Sequence, residues 1–222
     1  MTTAIGDMLP LAAAIALFPI PILAALTMLS SPRAHTNVPA YLFGWVAGIA
    51  GVLTIAALLT SGVDISSEDE KTGIGWVRIV IGAALLFFAA KKWLARPRTP
   101  DDAEIPGWMS AINGFSIIQS ISLGLALSAI NPKNLALVAS AGTAVGYPGL
   151  SLASAIVLGV LFTCLATLGL AIPVLYHVIA GDRGKEHLDN LLSWLIANNT
   201  VVMAVLMVLI GVVLIGEGIR LL

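Results

Sequence analysis

The chain has 222 residues, 59% of them hydrophobic and only 10% charged, with a formal net charge of −1 and a mean hydropathy of +1.00. A soluble domain carries about 25% charged residues, so this composition excludes a water-covered surface, and its scattered basic residues exclude the basic face that a nucleic-acid partner needs. With Cys164 as the single cysteine, an intramolecular disulfide and dithiol chemistry are excluded as well.

A helix crosses the hydrocarbon core with about 20 mostly apolar residues. The opening MTTAIGDML lacks the basic n-region of a secretory signal, so the first apolar stretch reads as a retained helix. Helix 1 is expected over 9–29 and helix 2 over 38–60, both uncharged. Helix 3, over 73–94, has Arg78 near one end and Lys91 and Lys92 near the other, where long stems reach the interface. Helix 4 lies in 105–146, uncharged except for Lys133; helices 5 and 6 follow over 150–176 and 200–222. The intervening polar breaks, SSPRAHTN, SGVDISSEDEKTG, ARPRTPDDAE and GDRGKEHLDN, are short. The expectation is therefore one all-α transmembrane domain over 1–222 with six spans.

The loops after helices 1, 3 and 5 hold Arg33, then Lys91, Lys92, Arg96 and Arg98, then Arg183 and Lys185; the opposite side holds Lys71 and Arg220. The positive-inside rule puts the first set in the cytoplasm. Both termini and the Glu68-Asp69-Glu70 loop are then outside, in a multi-pass protein of the cytoplasmic (inner) membrane.

The two halves share a pattern. Helix 1 carries Phe18-Pro19-Ile20-Pro21 and helix 4 carries Asn131-Pro132-Lys133-Asn134, about half the chain apart; Pro39 and Pro148 open helices 2 and 5. Three helices per half forces the second half to enter from the opposite face. The pattern predicts a 3+3 inverted repeat, 1–98 and 105–222, with Pro-broken helices 1 and 4, and paired interruptions of this kind mark a transporter's binding site.

Proline in a helix interior deletes a backbone hydrogen bond. Pro19 and Pro21 leave carbonyls around Leu17 and Phe18 free to line a cavity, or simply kink the helix. Lys133 inside a span costs about 2.5–3.5 kcal/mol on insertion scales. Either helix 4 ends at Asn131 and Lys133 snorkels, or the helix is broken and Lys133 faces a cavity; the apolar stretch 135–144 favours the second. The candidate substrate-binding set is Lys133, Asn131, Asn134, Pro132, Pro19, Pro21 and Gln119. Asn113, Ser116 and Ser120 are expected on one helical face beside it. Asp7 and Glu217 are candidates for proton or ion coupling, or plain interfacial residues. His177 reads as interfacial. Gly44 and Gly48 form a GxxxG whose usual use is close helix packing, with Gly51 on the same face. Trp76, Trp93 and Trp108 read as interface anchors. No metal spacing, phosphate loop or nucleophile elbow is present, so no metal, cofactor, catalytic residue or enzyme activity is expected.

The AINPKN stretch resembles the NPK signature of the lysine exporter superfamily. The segment FPIPILAALTMLSSPRAHTNVPAYLFGWVAG is similar to its GAP/Sap branch, the glycopeptidolipid- and sulfolipid-addressing proteins of mycobacteria and relatives. Pro19, Pro21, Asn131, Pro132 and Lys133 match by motif. The resemblance implies six helices and outward translocation of a cell-envelope glycolipid or related anionic amphiphile. It implies a membrane lipid or glycolipid as ligand, with a larger lipid exporter or a second copy of the chain as candidate partners. Two alternatives stand beside it: a proton-coupled exporter of a small solute such as an amino acid, and a non-transporting assembly subunit of a lipid export complex. A lipid path predicts an apolar lateral opening, a solute path a closed polar one, and an assembly subunit a free GxxxG face.

Overall fold

The computed structural model describes residues 2–61, 68–96, 107–146, 150–220 and 222, by backbone alone at 2–4, 68–74, 77, 182 and 217. Among them the chain is helical: α1 (Thr2–Ala16), α2 (Pro19–Leu29), α3 (Ala34–Ser61), α4 (Glu68–Leu94), α5 (Trp108–Ile112), α6 (Ile117–Leu125), a π-helical turn (Ala126–Ile130), α7 (Pro132–Val145), α8 (Leu152–Ala180), a 3-10 turn (Gly181–Gly184) and α9 (Lys185–Ile219). Three helices, Ala34–Ser61, Leu152–Ala180 and Lys185–Gly216, are each long and apolar enough to cross a membrane; α1–α2 and α6–α7 qualify as bent pairs, giving up to five candidate spans. The expected third span falls in α4, part of whose side chains lies outside the described residues, and it is not among these.

The expected breaks are present. Helix 1 bends by 47° between α1 and α2, and helix 4 by 65° between the π-helical turn and α7. Helix 2 starts at Ala34, so Pro39 lies inside α3 instead of opening it, and Pro148 lies outside the described residues. Further boundaries differ from the sequence reading. Helix 4 is also divided near its start, because the chain turns at Asn113–Gly114 and Ser116 caps α6. Asn113, Ser116 and Ser120 therefore do not share one helical face. Helix 6 begins at Lys185, fifteen residues early. Charge is not a helix breaker, and the break comes at Gly181, whose φ of 54° suits glycine. Helix 3 starts at Glu68, so the backbone of Glu68-Asp69-Glu70 is helical and not a loop.

The chain forms two compact units. Unit 1 comprises Met1–Ser61 and Glu104–Ile196, and α3 lies at its centre, packed on α2, α6, the π-helical turn, α7 and α8. The α3–α6 seam is closed by glycines. A Cβ on Gly44 would meet the Ile121 backbone, one on Gly124 the backbone of Tyr41 and Trp45, one on Gly48 the Ser128 hydroxyl, and one on Gly142 the backbone of Leu53. Residue numbers rise together along this seam, so α3 runs parallel to α6 and α7. The same holds for α1 and α8, where a Cβ on Gly169 would meet the Ala16 carbonyl and the facing residues Ile5–Ala12 lie opposite Leu158–Leu165. Gly51, by contrast, has nothing within 4 Å. Unit 2 comprises Gly62–Ala103 and Ala197–Leu222. Here Gly82 approaches Gly211 while Gly75 approaches Gly218, so α4 and α9 are antiparallel and joined through small residues.

Candidate functional site

Both helix breaks use the same local device. Phe18 has φ −63° and ψ 121°, Asn131 has φ −61° and ψ 117°, and each is the N-cap of a helix with proline in its first turn. A residue before proline is pushed out of the α region, and proline suits the first helical position, where its missing N–H costs nothing. The two breaks differ on their upstream side. Before Pro19 the chain tightens, with the Phe18 N–H donating to the Ile15 carbonyl at 3.2 Å. Before Pro132 it widens into a π-turn, with the Asn131 N–H donating to the Ala126 carbonyl at 2.9 Å. Widening relieves the clash between the Pro132 ring and the Ser128 carbonyl, but it takes from the Leu127 carbonyl its normal donor.

The asparagines repair this backbone. Asn131 Oδ1 accepts from the Lys133 N–H at 3.2 Å. Asn134, fully buried at 0% exposure, donates from Nδ2 to the Leu127 carbonyl at 2.8 Å. Its Oδ1 is buried and has no hydrogen-bond partner among the described residues, and the same holds for Nε1 of the fully buried Trp45. Tyr41, also buried, donates to the Pro21 carbonyl at 3.0 Å and ties α3 to α2.

Lys133 joins the two breaks. Its half-buried side chain reaches from the first turn of α7 to place Nζ 5.9 Å from the ring centroid of Phe18, at the outer reach of a cation–π contact. Two helix N-termini, those of α2 and α7, begin at these breaks, and each presents the positive end of its dipole. Pro19 and Pro21 are buried, Pro132 is exposed. The structure thus brings Lys133 to the Phe18-Pro19 break, while Asn131 and Asn134 bond within their own break. Gln119 stands apart, about 18 Å from Asn131 by helical rise, and its Oε1 accepts from the Ser116 N–H in a capping box. Asp7 is half-buried on α1, about 16 Å from Phe18 by the same rise, and the Glu217 side chain lies outside the described residues. The sequence reading assigned no part to the ring of Phe18 or to Tyr41 and Trp45. An aromatic residue directly before the FPIP prolines was the available signal for the first; nothing distinguished Trp45 from the anchors. Beside the break, an apolar groove runs along α1 and α8, lined by Ile5, Met8, Leu9, Ala12, Leu158, Leu161, Phe162 and Leu165.

A chain of apolar helices, two of them interrupted at prolines, has the make-up of a polytopic membrane protein. This one belongs to the Sap, sulfolipid-1-addressing protein, family, whose sequence profile matches residues 8–220. No curated protein and no solved structure matches the chain significantly.

Proposed function

We propose that this protein moves an anionic amphiphile, a cell-envelope glycolipid or a close relative, outward across the cytoplasmic membrane. The observation that carries the reading is the meeting of the two breaks, with Lys133 Nζ beside Phe18. An ammonium and two helix N-termini attract an anionic head group in a medium of low dielectric. Asn131 holds a head-group hydroxyl, and Asn134, fully enclosed in this conformation, offers its spare Oδ1 to another when the break opens. The Pro19, Pro21 and Pro132 breaks supply the flexible points for alternating access, and Asp7 and Glu217 are the coupling candidates. The chemistry is binding and release, with no covalent step.

A six-span 3+3 inverted repeat is part of the same reading. Unit 1 holds expected helices 1, 2, 4 and 5, and unit 2 holds helices 3 and 6 apart from the first turns of α9. The parallel pairs 1 with 5 and 4 with 2, and the antiparallel pair 3 with 6, are what a two-fold axis in the membrane plane generates. The family's sulfolipid-addressing description weighs for a lipid over a small solute. Gly44 and Gly48 are covered by α6 and the π-helical turn, which weighs against an assembly subunit that keeps this face for a partner.

The test is Lys133→Ala. The variant is expected to accumulate in the membrane at normal level, because it removes a costly group, and to lose delivery of the lipid to the outer envelope, measured by surface lipid extraction. Normal delivery at normal protein level would overturn the reading.

A further inference from the structure

We infer that the indole Nε1–H of Trp45 is a further binding group of the site at the helix breaks, donating to an oxygen of the head group and selecting sulfate or phosphate esters. This rests on the lipid reading above and adds a residue that recognises the anion. Trp45 is wholly enclosed, at 0% exposure, and its Nε1 has no hydrogen-bond partner among the described residues. Other enclosed polar side chains of the same unit are served by backbone: Tyr41 donates to the Pro21 carbonyl, Thr27 to that of Leu23 and Ser128 to that of Gly124. An indole N–H is a donor only. Left unpaired and away from water it costs stability that an apolar ring of the same shape would not, which points to an acceptor that comes and goes.

The place of Trp45 in the fold identifies that acceptor. α2 ends at Leu29 and α3 starts at Ala34, and Tyr41 reaches back to the Pro21 carbonyl, so the two helices run antiparallel. Trp45 is one turn beyond Tyr41 on the same face of α3, which sets it at the level of Phe18 and Pro19. Lys133 Nζ stands at the same break, beside the Phe18 ring. The ammonium supplies charge without direction, and the indole supplies a neutral donor of fixed direction. An oxyanion ester takes both, whereas a cationic head group finds an acceptor in neither. Trp45 is enclosed in this conformation, so the head group reaches Nε1 when the break opens. The unpaired donor penalises closure on an empty site and not closure on a loaded one, and this difference couples closure to occupancy.

The experiment uses the full chain in phosphatidylcholine nanodiscs and replaces the indole of Trp45 with benzothiophene by nonsense suppression. Sulfur then stands where the N–H was and the shape is kept, so folding is not at risk as it is in Trp45→Phe, which opens space. Binding of sulfated galactosylceramide, phosphatidylglycerol and uncharged galactosylceramide is titrated by native mass spectrometry, beside the thermal midpoint of the ligand-free protein. The replacement is expected to leave that midpoint unchanged or slightly raised. It is expected to weaken whichever anionic lipid the unaltered protein binds more tightly by about tenfold, the worth of one hydrogen bond to a charged group, and to leave galactosylceramide within twofold. A lowered midpoint would show that Nε1–H already has a partner inside the protein, a buried water included, and would overturn the inference. So would anionic binding that stays within twofold, an equal loss for galactosylceramide, or an unaltered protein that prefers neither anionic lipid to it. Delivery in Lys133→Ala tests the transport reading separately: delivery retained there, with the tenfold loss here, would leave Trp45 as an anion-binding residue while that reading falls.

Discussion

Each asparagine of the Asn131-Pro132-Lys133-Asn134 stretch mends the backbone beside it. Asn131 gives its oxygen to the start of α7, and an N-cap is worth about 1 kcal/mol. Asn131→Ala is therefore expected to lower the thermal midpoint of the purified protein by a few degrees, and Asn131→Asp, which keeps the acceptor, to restore it. Asn134 carries the larger debt, because its Nδ2 is the donor that replaces a lost backbone bond at Leu127. Asn134→Asp keeps the shape, removes the donor and sets an acceptor against a buried carbonyl. It is expected to destabilise by more than Asn131→Ala, in the range of about 1–3 kcal/mol or beyond, read as a larger drop in midpoint. A midpoint unchanged in Asn134→Asp would mean that the Leu127 carbonyl finds another donor. Lys133 was legible as the one charge in a long apolar run. The backbone roles of its neighbours were not, because they depend on a π-turn that leaves no composition signal.

Among elements, the helix breaks were written in the prolines, and the α3 glycine face was written in its four-residue spacing. The partner of that face was not: Gly124 lies far along the chain, and only the fold sets it against Tyr41 and Trp45. The seven-residue pairs Gly75–Gly82 and Gly211–Gly218 were equally open to reading and went unread, since a spacing of seven looks like chance until both helices are aligned. The seam makes a graded prediction. At Gly124 and Gly44 even a methyl meets backbone, which cannot rotate away, so Gly124→Ala should cost about 1–3 kcal/mol by overpacking and Gly124→Leu should prevent stable accumulation. Gly51→Ala faces open space and should leave the thermal midpoint within a degree or two. Equal behaviour of the alanine variants at 51 and 124 would contradict the seam.

For the whole molecule, the proposed six-span topology and the direction that the positive-inside rule gives it have a direct test. Single cysteines at Thr3 and Leu222, in a Cys164→Ser background, are expected to react with an impermeant thiol reagent in intact cells. One at Thr99 is expected to react only after permeabilisation. Labelling of Thr3 and Leu222 on opposite sides would remove the six-span arrangement, and the reverse pattern would invert every statement of sidedness.

The parallel pairing of α3 with α6 also fixes an order of events during synthesis. When α3 enters the bilayer its Gly44 and Gly48 face has no partner, and the helix that will cover it has yet to be translated. At about 5–20 residues per second, the wait for the segment from α3 to α7 is on the order of ten seconds. Throughout it the first half of the chain is a lodger in the insertion machinery or in lipid, with the glycine face of α3 uncovered. A photo-crosslinker at Tyr41, which faces Gly124 in the finished fold, should therefore capture lipid or insertion machinery in a ribosome-bound chain halted with residue 116 just inserted, and α6 in one halted after residue 146 has inserted. Loss of α6 is accordingly expected to leave an inserted but incompletely packed first half, seen as faster turnover of a chain truncated at residue 116 than of one that reaches residue 146.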